Sequence, residues 1–251
     1  MHIDTEALAA SLARLREAPQ EPDLIHALER VVTSVDQLFG YDGAGIMLID
    51  EESRLMYVAS SDQVGRTLEE AQIRTGQGPC VDAFVHARPV ISKDVCSDAR
   101  WPKLAELLDE RLRAVTGVPI LLGGGPVGTL NVYRTSPSDW DDSDVAALDA
   151  YALLAGEIMN AALSSKDRTA TVAQLQYALD YRVVIERAIG YLMATHGVDA
   201  VTAFSRLRKQ ARDSRRRVAD LANEILGGTV PPPPRTPFEP PSDATPVSSP
   251  D

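Results

Sequence analysis

Apolar residues recur with a helical period at both ends of this chain and with a strand-like period in between. Over residues 3–17, Leu8, Leu12 and Leu15 form one stripe of a short helix. Pro19 and Pro22 break that pattern. Asp23 then stands as an N-cap before a run whose Leu24, Leu28, Val31, Val32, Val35 and Leu38 share a face. From Asp42 the period shortens: GAGIMLID and LMYVASS around the polar Glu51-Glu52-Ser53 turn predict an antiparallel hairpin. A polar helical segment near Leu68–Ile73, a helix starting at Cys80, a short strand in HARPVISKDV and a helix over Trp101–Arg113 follow. AVTGVPILLG and GPVGTLNVYRT predict two more strands joined at Gly123-Gly124-Gly125, and a long helix starts at Val145. The expected fold is α+β, a mostly antiparallel sheet flanked by helices.

Helical patterning barely pauses at Ser164–Arg168. Val172, Leu175 and Leu179 then predict a helix that leaves the first domain and pairs in parallel with a second copy. That helix ends near Gly197, a good left-handed stop. A second (Ala200–Arg212) carries Ala203, Phe204, Leu207 and Ala211 inward, and a third carries Val218, Leu221, Ala222 and Ile225. Three such helices make an all-α three-helix bundle. The expected organisation is an N-terminal helical extension (1–22), a domain over 23–163, the bundle over 164–227 and a disordered Pro-rich tail over 228–251.

Charge divides along the same lines. The chain's net charge is −11, yet residues 166–226 hold 11 Lys/Arg against 7 Asp/Glu. A nucleic-acid site on so acidic a protein must be local and salt-sensitive, and the bundle is where it would be. No run of 18 apolar residues and no signal peptide is present, so no membrane partner and a cytoplasmic location are expected. Two cysteines and four scattered histidines predict no metal site. No nucleophile or phosphate-loop motif occurs, so the chain is expected not to be an enzyme.

Cys80 follows Gly-Pro at a helix start, where a thiolate can be stabilised as a redox sensor; the alternative is a small buried thiol packing the helix on the sheet. Asp94, Asp98 and Arg100, beside Trp101, either form a charged cluster over a pocket or cap and brace a turn. The run GQGPCVDAFVHARPVISKDVCSDARWP, then VPI, then VGTLNVY, resembles a GAF domain of the bacterial signalling type over about residues 23–163. Gly78-Pro79-Cys80, Asp82, Asp94, Arg100-Trp101-Pro102 and Gly128-Leu130-Asn131-Tyr133 carry the likeness. It implies a sensor of an unidentified small-molecule ligand or of redox state, commonly dimeric, with Cys80, Asp94, Arg100 and Trp101 as candidate pocket residues. The Asn-Lys constellation of cyclic-nucleotide GAF domains is not matched.

The bundle's pattern L-Q-x-A-L-x-x-R-x-x-I-E-x-A-x-G-x-L-M, followed by A-F and L-R-x-x-A, is similar to the ANTAR module, an RNA-binding antitermination domain. Arg182, Ile185, Glu186, Ala188, Gly190, Leu192, Met193, Ala203, Phe204, Leu207 and Ala211 fall in register. The likeness implies a homodimer that binds paired small hairpins in nascent leader transcripts and prevents a terminator from forming. Arg182, Glu186, Arg187, Ala188, Ile189, Gly190 and Met193 are the candidate RNA-binding residues. Arg182, Glu186, Ile189 and Met193 share a helix face, and Arg182 or Arg187 could contact phosphates or stack on loop bases. Ile189 and Thr195 stand where the family usually or often carries basic residues, which removes two potential phosphate contacts. Two other readings compete: a DNA-binding transcription factor using the second and third helices around Arg215–Arg217, and a sensor whose bundle makes only protein contacts.

Overall fold

The structure, a computed structural model, describes residues 3–17, 23–50, 55–108, 111–164 and 170–228. The Glu51-Glu52-Ser53 turn, most of the stretch between the two expected domains and the Pro-rich tail lie outside the described residues. Helices α1 (Thr5–Glu17) and α2 (Leu24–Phe39) come first. The Asp23 carboxylate accepts from the Ile25 amide at 3.2 Å and so satisfies one of the free donors at the start of α2. Strands β1 (Gly43–Ile49) and β2 (Leu55–Ser60), helices α3 (Gln63–Thr75) and α4 (Pro79–His86), strand β3 (Val90–Ser92), the short α5 (Pro102–Ala105), and strands β4 (Ala114–Leu122) and β5 (Gly125–Arg134) follow.

The strands pair antiparallel in the order β2-β1-β5-β4-β3. Helix α6 (Asp142–Ser164) lies with α2 on one face of the sheet, and α3 and α4 lie on the other. Covering both faces explains why β1 is buried at every position. On the α2/α6 face, Ile46, Leu48, Val118, Ile120, Leu130 and Val132 pack against Leu28, Val31, Val35, Leu148, Tyr151 and Ala155. Helix α1 joins this layer: the Tyr151 hydroxyl donates to Ser11 Oγ at 2.6 Å, and Ile3 is buried. By length and composition α6 could cross a membrane, but its apolar inward face is buried in this layer.

Two expectations are corrected. The helix expected over Trp101–Arg113 is only α5. Beyond it the Arg113 carbonyl accepts from Val95 at 2.6 Å and the Arg113 amide donates to Arg134 at 3.0 Å, so pairing to distant strands overrides helical periodicity. The stripe Val172–Leu175–Leu179 begins α7 (Ala170–His196), yet Val172 and Leu175 are buried in the α2/α6 layer of the chain's own sheet domain, with Leu179 packed against it. That stripe therefore has an intramolecular partner.

Helices α8 (Ala200–Asp213) and α9 (Val218–Ile225) complete the bundle with α7. Gly197 closes α7 at φ 62°, and the Asp199 carboxylate accepts from Thr202 at 2.7 Å to open α8. The core of the bundle, with Ile185, Ala188, Phe204, Leu207 and Leu221, is continuous with Met47, Ile49, Cys80, Val81 and Phe84 of the sheet domain.

Candidate functional site

On the α3/α4 side, the register places Gly45, Asn131 and Gly117 side by side across β1, β5 and β4. The two glycines let helices come close: a Cβ at Gly45 would lie 1.9 Å from Glu69 Oε1, and one at Gly117 would lie 3.2 Å from the Cys80 Cα. Into this gap α3 projects Glu69 and Gln72, both fully buried. Asn131 Nδ2 donates to Glu69 Oε1 at 3.1 Å. Gln72 clasps the start of α4 through both amide atoms: its Nε2 donates to Cys80 Sγ at 3.0 Å, and its Oε1 accepts from the Cys80 amide at 2.9 Å. Glu69 Oε2 and Asn131 Oδ1 have no hydrogen-bond partner among the described residues. Burial raises the Glu69 carboxyl well above its usual range, and the Asn131 bond offsets this only in part.

Of the sensor residues expected from the sequence, Arg100 and Trp101 stack on each other, whereas Cys80 and Asp94 take separate partners. Cys80 is fully buried, and burial pushes its thiol up to about 12, the reverse of an activated thiolate. It is the packing thiol of α4, clasped by Gln72. Asp94 takes two bonds from Arg113, at 2.9 and 2.6 Å, and these hold its carboxyl below the usual range. Arg100 pairs with Asp98 at 2.7 Å, donates to the Ile91 carbonyl at 2.6 Å, and lies over the Trp101 ring at 4.1 Å. The Trp101 indole donates to Asp82 at 3.0 Å. These groups brace the loop before β4. Among the described residues, no three His, Cys, Asp or Glu side chains converge as a metal-binding set.

In the bundle the candidate residues separate into three groups. Ala188 is fully buried and packs the bundle core, so it has no surface to offer RNA. Arg187 and Gly190 are exposed beside Tyr191, and Met193 is 36% exposed. Arg182, Glu186 and Ile189 turn toward the sheet domain. With Ile49, Phe84, Val85, Ile185 and Phe204 they line a cavity of about 230 Å³ between bundle and sheet. Arg182 Nη1 donates to the carbonyls of Leu122 and Gly123, at 3.1 and 2.9 Å, and its Nε lies 3.4 Å from Glu186 Oε1. Gly125 makes room for it, since a Cβ there would lie 2.4 Å from Arg182 Cδ. The three-glycine turn, read from sequence only as a hairpin, is a seat for this guanidinium. Beyond Arg182, the module's positive charge lies chiefly on α8 and the α8–α9 turn: Arg206, Arg208, Lys209, Arg212, Arg215, Arg216 and Arg217.

Residues 21–160 match the GAF domain family and residues 173–226 the ANTAR domain family. Among solved structures the chain is similar to a free methionine-R-sulfoxide reductase from Neisseria meningitidis in complex with its substrate, at 18% identity, 63% of this chain and 89% of that one, TM-score 0.52. It is also similar to the GAF domain of an Acinetobacter phosphoenolpyruvate-protein phosphotransferase, at 17% identity, 65% and 96% coverage and TM-score 0.52. The GAF domain of such a phosphotransferase from Coxiella burnetii gives 20% identity, 63% and 94% coverage and TM-score 0.50. At these identities the likeness is one of fold. No curated protein matches the chain. With its sheet domain accounted for by one family and its bundle by the other, the chain belongs to the GAF domain family and carries an ANTAR domain after the GAF domain.

Proposed function

We propose that the chain is a cytoplasmic, non-enzymatic regulator of transcription antitermination. Its GAF domain controls binding of paired RNA hairpins by a homodimer of the ANTAR domain, and the state described here is the closed one. The observation that carries this reading is the seating of Arg182 on the Leu122 and Gly123 carbonyls. Of the α7 face that the ANTAR likeness assigns to RNA, Arg182 and Ile189 lie against the GAF domain, while Met193 is exposed. Ile189 fits this arrangement: isoleucine packs into the cleft with Phe84 and Phe204, whereas a basic side chain there would share it with the Arg182 guanidinium. On the sensor side, Glu69 and Asn131 are the groups best placed to read a small molecule. With its carboxyl held protonated, Glu69 Oε2 would donate to a ligand, and Asn131 Oδ1 would accept from one.

The test uses a substitution outside the bundle. Gly125 lies outside the left-handed region, so alanine suits its backbone and displaces only the flexible Arg182 side chain. Removing two bonds to a charged group from the closed state is expected to tighten binding of a hairpin pair by the full chain by about tenfold or more. Arg182→Ala is expected to open the cleft without that gain, because the RNA contact goes with the seat. Equal hairpin affinity for wild type and Gly125→Ala would remove the sensor's control from this reading.

A further inference from the structure

We propose that the turn between α8 and α9 is a binding pocket for RNA backbone phosphates, built from Arg208, Arg212, Arg215, Arg216 and Arg217. The inference rests on the reading of the bundle as RNA-binding and adds a second contact surface to it. These five side chains line one cavity of about 280 Å³. Its walls are fixed by aromatic rings, with Arg208 over Phe204 at 5.4 Å and Arg217 over Tyr177 at 5.0 Å. Tyr177 is itself stacked on Tyr181, with centroids 4.7 Å apart. Arg212 and Arg215 stand exposed. The nearby acids leave the balance positive: Glu224 pairs with Arg216 at 2.5 Å, Asp213 pairs with Lys209 at 2.6 Å, and Asp220 is on α9. Planar guanidinium groups converging on one concavity match the oxygens of a phosphodiester, which they can grip bidentately.

A second observation comes from the backbone. Arg215 holds φ 52° at the end of α8, where the Arg216 amide closes back on the Ala211 carbonyl at 2.9 Å. Glycine is the residue favoured in this conformation, and α2, α3 and α7 end on Gly40, Gly76 and Gly197 there; α4 ends on Ala87. At Arg215 the chain instead keeps a long cation in a strained position at the mouth of the pocket. Strain retained at a charged surface turn is accounted for by the side chain's use. The pocket shares no lining residue with the cleft that holds Arg182. It supplies charge that is blind to sequence, while α7 supplies the reading of the loops.

The two ideas lead to Arg215→Gly, which removes the cation and relieves the backbone together. With the full chain, a hairpin pair and a salt series, Arg215→Gly and Arg212→Ala are each expected to weaken binding roughly threefold to fivefold at low salt. Each should lower the slope of log affinity against log salt by about 0.7 to 0.9. The loss should be uniform across loop sequences, and Arg215→Gly should raise the thermal midpoint of the free protein. Unchanged affinity and slope in both variants, beside a binding wild type, would overturn the pocket. So would a lowered thermal midpoint in Arg215→Gly, which would mark the arginine as structural. Preference for duplex DNA of equal length would overturn the RNA assignment. If neither the wild type nor Gly125→Ala binds hairpins at low salt, the reading of the bundle itself fails, and the pocket with it.

Discussion

Glu69 makes the stability of the GAF domain depend on pH. It is fully buried, its Oε1 is held by Asn131, and the glycine at position 45 exists in contact with it. Its folded-state affinity for a proton lies well above the usual 4.5. Between the unfolded and folded values the native state therefore binds one proton more than the unfolded state, so stability falls as pH rises through that window. A single such group contributes a slope of at most about 1.4 kcal/mol per pH unit. Glu69→Gln keeps the shape and one hydrogen-bond acceptor but cannot ionise. Urea melts between pH 5 and pH 8 are expected to show this decline in the wild type and a flatter profile in the variant. An identical pH dependence in both would mean that Glu69 is ionised in the native state. This residue was not legible from the sequence: in a helix written Leu68-Glu69-Glu70-Ala71-Gln72, acids and amides look like a solvated face, and only the Gly45–Asn131–Gly117 row reveals the gap they fill. Cys80, by contrast, stood out because Gly-Pro precedes it, yet the same helix start that suggested reactivity is buried under the sheet and clasped by Gln72.

At the scale of elements, periodicity located the helices well and their partners poorly. The sheet followed from alternating apolar runs bounded by glycine, and α2 from its cap and its face. The Val172–Leu175–Leu179 stripe was equally plain, but a stripe does not say what covers it. Here the cover is the chain's own α2/α6 layer. Past α5 the helical pattern failed because Arg113 is held between Val95 and Arg134, contacts far apart in sequence. Where the local signal is a cap, sequence and structure agree, and the energetics can be checked. Asp199 closes the Gly197 turn by accepting from Thr202, and Asp199→Ala is expected to lower stability by about 1 kcal/mol. The denaturation midpoint would report it. A change of a few tenths would mean that α7 and α9 hold the start of α8 without the cap.

Over the whole molecule, an acidic sensor and a basic bundle share one apolar core. Phe84 of α4 meets Phe204 of α8 with ring centroids 5.8 Å apart, in a cluster that runs from Met47 to Ala222. Burial across that junction ties the stability of each part to the other, and in the proposed function it is the energy that a signal would offset to expose α7. The two tryptophans, Trp101 and Trp140, both lie in the sensor, so their fluorescence follows the sensor alone, while far-UV circular dichroism follows every helix. Phe204→Ala removes a buried ring from the bundle at a typical cost of about 3 to 5 kcal/mol. With a shared core the fluorescence midpoint is expected to fall together with the dichroism midpoint, although no residue of the sensor has changed. Were the two domains to unfold independently, the dichroism would shift alone and the tryptophan signal would stay where it was. That outcome would detach the cleft from the stability of the sheet domain and leave the Arg182 seat and the Val172–Leu175 contacts as the ties between the two domains.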